Sequence, residues 1–129
     1  MSRPDLPDLS GLTVLVVDDT EDHLDMISTY LRACGATVLE ARSGLAALAY
    51  VQTTPKIDAV VTDLFMPSMD GVELLQRLRR VPGQQSTPVI ALTAFYENMD
   101  VHIARFNAYL RKPINFDQLC STIREVTRR

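Results

Sequence analysis

From residue 12 to residue 17 the chain reads LTVLVV and then stops at two acids, Asp18 and Asp19. A strand with one face in water alternates apolar and polar residues. A near-continuous apolar run instead marks a strand covered on both faces, as in the parallel sheets that lie between layers of helices. The pattern returns at residues 57–62, ending at Asp63, and at residues 88–92, ending at Thr93.

Between these runs the apolar period lengthens. Leu24, Ile27, Leu31 and Cys34 form one helical stripe, and Gly35 follows where such a helix ends. Residues 36–40 read as a short strand. Ser43-Gly44 opens a second helix that runs to about residue 53 and is broken by Pro55. Residues 66–69 are a loop. Asp70, with Glu73 three positions on, has the form of a capping box and starts a helix to about residue 80, with Val72, Leu75 and Leu78 inward. Residues 94–98 read as a loop, 99–105 as a short helix and 107–110 as a fifth strand. Asn115 caps a last helix with Phe116, Leu119, Ile123 and Val126 on one side. Five alternations of strand and helix predict an α/β fold, a parallel sheet with helices on both faces.

At 129 residues this is one domain, large enough for its own core. Residues 1–10 are polar and proline-containing and read as a flexible arm, leaving residues 11–129 as the domain. No signal-peptide core or membrane-length apolar run is present, which fits a cytoplasmic protein without membrane contact. A net charge of −3 sets up no field toward nucleic acid. Arg77, Arg79 and Arg80 lack interleaved aromatics and read as a solvated helix end. Cys34 and Cys120 form no C-x-x-C pair and read as buried thiols in a reducing compartment. His23 and His102, without partner motifs, read as surface residues.

Ligands of open α/β sheets bind beyond the carboxyl ends of the strands. There the first strand delivers Asp18 and Asp19, the third Asp63, the fourth Thr93 and the fifth Lys112. Each alone has an ordinary explanation as a cap, a loop acid, a turn hydroxyl or a solvated amine. Together on one rim they describe a site. Two carboxylates about 4 Å apart repel by roughly 4 kcal/mol at an effective dielectric near 20, so three need a cation or a bound proton. Hard oxygen ligands suit Mg²⁺, which takes one or two carboxylates, keeps waters and leaves room for phosphate oxygens. Lys112 and Thr93 would face those oxygens as point charge and donor. The set reads as Mg²⁺-assisted phosphoryl transfer with a carboxylate nucleophile.

VLVVDD, TDLFMPSMDG, VIALTA and YLRKP, in this order and spacing, resemble the receiver (CheY-like) domain of bacterial two-component response regulators over about residues 11–126. The resemblance implies a flavodoxin-like (βα)5 three-layer sandwich with a five-stranded parallel sheet in the order 2-1-3-4-5. It implies that Asp63 accepts a phosphoryl group from a histidine kinase or histidine phosphotransfer protein. Asp18 and Asp19 would hold Mg²⁺ with Asp63 and the backbone carbonyl of Phe65. Lys112 would pair with the aspartyl phosphate, Thr93 would close on a phosphoryl oxygen, and Tyr109 would swing inward behind it. The Lys112–Pro113 bond is often cis in this family. Such a domain is not an enzyme in the ordinary sense, since it catalyses only its own phosphorylation and dephosphorylation. Its output passes to a downstream protein partner, without direct nucleic-acid contact, and a homodimer is compatible with it.

Two departures from the family pattern stand out. Phe65 and Phe95 lie two positions after Asp63 and Thr93, where relatives often carry polar side chains. Their rings either cover core or restrict the attacking water, and the second reading implies a long-lived phosphorylated form. From Thr93 to Lys112 is 19 positions, about one helical turn shorter than in most relatives, and the usual Ala-Gly pair is replaced by Arg105-Phe106. The helix at 99–105 should therefore be short, and the common dimer mode of the family is not assumed for this chain.

Three other readings compete. A degenerate receiver would serve as a phosphorylation-independent interaction module, but all five site residues are present. An Asp-nucleophile phosphatase needs a D-x-D arrangement, which neither VVDDT nor TDLF provides. A flavin carrier needs a hydroxyl- and glycine-rich loop after the first strand, where DDTED would repel phosphate. With Met1 at its start and no effector domain after residue 129, a stand-alone protein is expected, rather than a receiver cut from a hybrid kinase.

Overall fold

The structure is a computed structural model that describes residues 6–94 and 105–128. Phe95, His102 and the short helix expected over 99–105, all but Arg105, lie outside the described residues.

Five strands form one parallel sheet in the order β2-β1-β3-β4-β5. They are β1 (Thr13–Val17), β2 (Thr37–Ala41), β3 (Ala59–Asp63), β4 (Val89–Thr93) and β5 (Ala108–Arg111). The helices of the described residues are α1 (Glu21–Ala33), α2 (Gly44–Thr53), α3 (Gly71–Leu78) and α4 (Phe116–Thr127). The apolar runs behave as their composition requires. Every residue of β3 and β4 is buried, whereas the edge strands β2 and β5 are partly exposed.

Successive side chains of β1 divide between two cores. Val14 and Val16 pack with Leu24, Ile27 and Leu31 of α1 and with Leu119 and Ile123 of α4. Leu15 and Val17 pack on the opposite face with Ala47 and Val51 of α2 and with Leu74, Leu75 and Leu78 of α3. The stripes at helical spacing thus face the sheet, and the three layers follow from them.

Helix starts are set by short polar side chains. Ser43 Oγ accepts from the Ala46 N–H at 3.1 Å, Asp70 Oδ1 from Glu73 at 2.8 Å and Asn115 Oδ1 from Gln118 at 3.0 Å. Only half of the expected capping box forms. Glu73 does not serve as the reciprocal partner in the described hydrogen bonds; its carboxylate accepts instead from Arg77 Nη2 at 2.9 Å, one turn along α3. The fifth strand also sits one residue later than expected, since Asn107 is used as a clasp. Its Oδ1 accepts from the Val89 N–H at 2.9 Å.

The expectation of a flexible arm does not hold for residues 6–10. Leu9 is fully buried in the core of the α1/α4 face, its N–H donates to the Cys34 carbonyl at 2.8 Å, and Leu6 packs against the same cluster. Two leucines spaced among prolines and acids give no periodic signal, so a polar stretch concealed an apolar anchor.

Candidate functional site

Sheet register alone lines up the site. Val17 pairs with Thr62, so Asp18 and Asp63 follow as neighbours. Asp63 pairs with Leu92, and Thr93 comes next. Thr93 pairs with Arg111, and Lys112 follows, its N–H donating to the Thr93 carbonyl at 2.8 Å. Four non-contiguous segments therefore end level at the carboxyl edge.

Asp18, Asp19 and Asp63 each bring a carboxylate oxygen to within 4.8 Å of the other two. Asp18 is fully buried, Asp63 is buried and Asp19 is half-buried. Asp18 Oδ1 accepts from the Thr20 N–H at 2.9 Å and so fixes the entry to α1. Its Oδ2 is buried with no hydrogen-bond partner among the described residues. The side-chain nitrogens that approach it, Lys112 Nζ at 3.9 Å and His23 Nδ1 at 3.8 Å, lie beyond hydrogen-bond length. A buried, orphaned carboxylate oxygen facing two further acids is costly unless a cation completes it. The donor set, all hard carboxylate oxygens, fits a divalent ion of the Mg²⁺ type.

Lys112 Nζ lies 3.3 Å from Asp63 Oδ2, and the lysine is four-fifths buried. Burial pushes the Asp63 carboxyl above the usual carboxylate range. The Lys112 ammonium pulls it back, and the Asp18 charge adds to the upward push. Asp63 is thus a desolvated carboxylate, kept available by one adjacent cation. Thr93 is fully buried at the end of β4. The Lys112–Pro113 bond is cis.

The remaining candidates sit around this rim. Tyr109, opposite Ala91 in the register, is half exposed on the edge strand. Phe65 is also half exposed, so its ring is not a cover for the core. It borders a surface cavity shared with Val72, Gln76 and Arg77 of α3. Phe95 lies outside the described residues.

Two contributors were not legible as site residues. His23, read as a surface side chain, is half exposed yet stands at the rim beside Asp18; its place in the first turn of α1, right after the acidic pair, was the available signal. Gly71 begins α3 against the end of β3, its N–H donating to the Leu64 carbonyl at 2.9 Å. A β-carbon there would lie 2.8 Å from the Asp63 carbonyl oxygen. Next to Lys112 a mostly apolar groove of about 450 Å³ runs between α1 and α4, lined by Met26, Ile27, Pro113, Ile114 and Phe116. Among the described residues no helix is long and apolar enough to cross a membrane.

Comparison with known proteins agrees with this geometry. The family model of the response regulator receiver domain matches residues 14–124. A 14.6 kDa protein of the sodA1 3′ region of Leptolyngbya boryana is 39% identical over 111 residues, covering 83% of each chain. The transcriptional regulatory protein ZraR of Klebsiella oxytoca is 35% identical over 116 residues, which are 87% of this chain but 25% of that protein. Chemotaxis protein CheY4 of Vibrio cholerae superposes with a TM-score of 0.83 at 30% identity, over 89% of this chain and 98% of that one. The fold, the motifs and the sequence match converge, and the chain belongs to the response regulator receiver domain family of two-component systems.

Proposed function

We propose that this receiver domain is a phosphoacceptor switch in which Asp63 takes a phosphoryl group from a phosphohistidine of a histidine kinase or phosphotransfer protein. The carrying observation is the convergence of Asp18, Asp19 and Asp63 within 4.8 Å, with Lys112 Nζ 3.3 Å from Asp63. An Asp63 carboxylate oxygen attacks phosphorus, the P–N bond to imidazole breaks, and an aspartyl phosphate forms. Asp18, Asp19, Asp63 and the Phe65 carbonyl would hold Mg²⁺, which when bound supplies positive charge to the phosphoryl oxygens.

Lys112 keeps Asp63 ionised before transfer and pairs with a phosphoryl oxygen afterwards. The Thr93 hydroxyl donates to another. Those contacts exist only in the phosphorylated state, so they bias the domain toward the arrangement that makes them, with Tyr109 moving inward from its half-exposed position. Phe65 flanks the path of the hydrolytic water and prolongs the phosphorylated state; for Phe95 the same role rests on its sequence position alone, two after Thr93. The groove between α1 and α4 adjoins Lys112 and gives an apolar seat to the partner that brings the phosphohistidine. The output is a change in protein binding, or onward transfer of the phosphoryl group, and not a reaction on a separate substrate.

Incubation with acetyl phosphate and Mg²⁺, followed by intact mass measurement, tests this reading. One phosphoryl adduct is expected, lost when Mg²⁺ is omitted and lost in Asp63→Asn. No adduct with metal present would favour a phosphorylation-independent interaction module.

A further inference from the structure

We propose that Cys34 and Cys120 form a redox-modification site, a reversible intramolecular disulfide that ties the end of α1 to α4. Their sulfurs lie 3.3 Å apart, in direct contact, and both side chains are buried in the core of the α1/α4 face. They stand 86 positions apart in sequence.

Both backbones are anchored. The Cys34 N–H donates to the Tyr30 and Leu31 carbonyls at 3.1 Å each, and its carbonyl accepts from Leu9 at 2.8 Å. Cys120 lies in the first turns of α4, downstream of the Asn115 cap. One turn earlier on each helix, the Tyr30 and Phe116 ring centroids are 4.9 Å apart and Tyr30 Oη donates to Asp117 Oδ1 at 2.5 Å. The same seam that holds the helices together therefore presents sulfur to sulfur. Closing the gap to the roughly 2.05 Å of a disulfide takes little more than about 1 Å of side-chain movement. The chain has two cysteines in all, so no competing pairing exists within it.

The oxidant we infer is hydrogen peroxide. One sulfur, as thiolate, attacks a peroxide oxygen, the O–O bond breaks, and a sulfenic acid and water form. The second sulfur attacks the sulfenic sulfur, the S–O bond breaks, and a second water leaves with the remaining thiol proton. Two thiols are oxidised by two electrons and one peroxide is reduced to two waters. Burial, reinforced by the adjacent Cys34 sulfur, holds the Cys120 thiol up and protonated, so the reaction on the folded chain is slow and the pair resists mild oxidants. A small thiol reverses the bond by exchange. The tie fixes the two helices that border the groove beside Lys112, independently of the state of Asp63.

The test uses the wild-type chain, graded hydrogen peroxide and no phosphoryl donor, so its outcome does not depend on Asp63. The expected product is a monomer lighter by two hydrogens, with Cys34 and Cys120 in one linked peptide after non-reducing digestion. Closing so long a loop should raise Tm by roughly 10 °C, and dithiothreitol should reverse both changes. Two thiols still titrating after prolonged exposure to the highest peroxide concentration that leaves the chain folded would overturn the proposal. So would oxygen addition to the cysteines without linkage, disulfide dimers in place of the monomer, or a linked monomer of lower Tm.

Discussion

Lys112 and Asp63 meet at 3.3 Å although they belong to segments that are not neighbours in the sheet. Asp63 ends β3 and Lys112 follows β5, with β4 between them. The contact spans the end of β4, where Thr93 lies, so the acid, the amine and the hydroxyl are coupled by sheet register and not by loop sequence. The register that brings them together also sets the cost of keeping a carboxylate there.

That cost gives a pH-dependent prediction. The folded chain raises the Asp63 pKa, chiefly through burial. Stability from this group is therefore fully present below the unfolded carboxyl value of about 3.9 and is lost as pH rises through the folded value. Asp63→Asn removes the loss. In metal-free buffer at pH 7 the variant should melt higher than the wild type, and the gain should shrink toward pH 4. Thermal melts across that range check it; an equal or lower Tm at pH 7 would contradict the electrostatic account.

Divalent metal should act in the opposite direction on the wild type. The orphaned Oδ2 of Asp18 and its two carboxylate neighbours are relieved by a cation. At free Mg²⁺ ten times Kd the stabilisation is about 1.4 kcal/mol. Asp19→Asn should weaken the response and Asp18→Asn should abolish it, as followed by Mg²⁺ titration of Tm. An equal Mg²⁺ response in all three proteins would place the ion elsewhere.

Gly71 is expected to be intolerant for a local reason. A β-carbon at this position would lie 2.8 Å from the Asp63 carbonyl oxygen and 3.1 Å from Leu64 Cα, both backbone atoms that cannot turn aside. Gly71→Ala should cost about 1–3 kcal/mol in chemical denaturation and slow phosphoryl uptake by displacing the end of β3. Helix propensity alone predicts a gain of roughly 1 kcal/mol, so the sign of the change separates the two effects.

Phe65 should influence lifetime more than stability. Its ring is half exposed at the strand-end rim, so Phe65→Asn should change stability by less than about 0.5 kcal/mol. If the ring restricts the attacking water, the same substitution shortens the half-life of the phosphorylated form about threefold or more, equivalent to roughly 0.7 kcal/mol in the barrier. An unchanged half-life in a phosphate-release assay would leave the ring without a catalytic consequence.

The parallel sheet between helical layers and the five rim residues were legible because they rest on strong local signals, whereas the strand order came only from the family resemblance. Continuous apolar runs and stripes at helical spacing mark the elements, and the polar residues at strand ends, ambiguous singly, gain a reading by falling together on one rim. Features set by packing between distant segments were not legible. The burial of Leu9 depends on the end of α1, the use of Glu73 by Arg77 on side-chain reach along α3, and the meeting of Cys34 with Cys120 on how two helices lie on one sheet face. No spacing within a single stretch encodes any of these.

The central claim is that Asp63, and no other acid of the rim, carries the phosphoryl group. After reaction with acetyl phosphate and Mg²⁺, borohydride reduces an acyl phosphate to an alcohol and leaves homoserine where the aspartate stood. Peptide mass mapping should then find homoserine at position 63 alone, with a yield that falls about tenfold or more in Lys112→Ala, a loss of roughly 1.4 kcal/mol in the barrier. Homoserine at position 18 or 19, or none at all, would contradict the account.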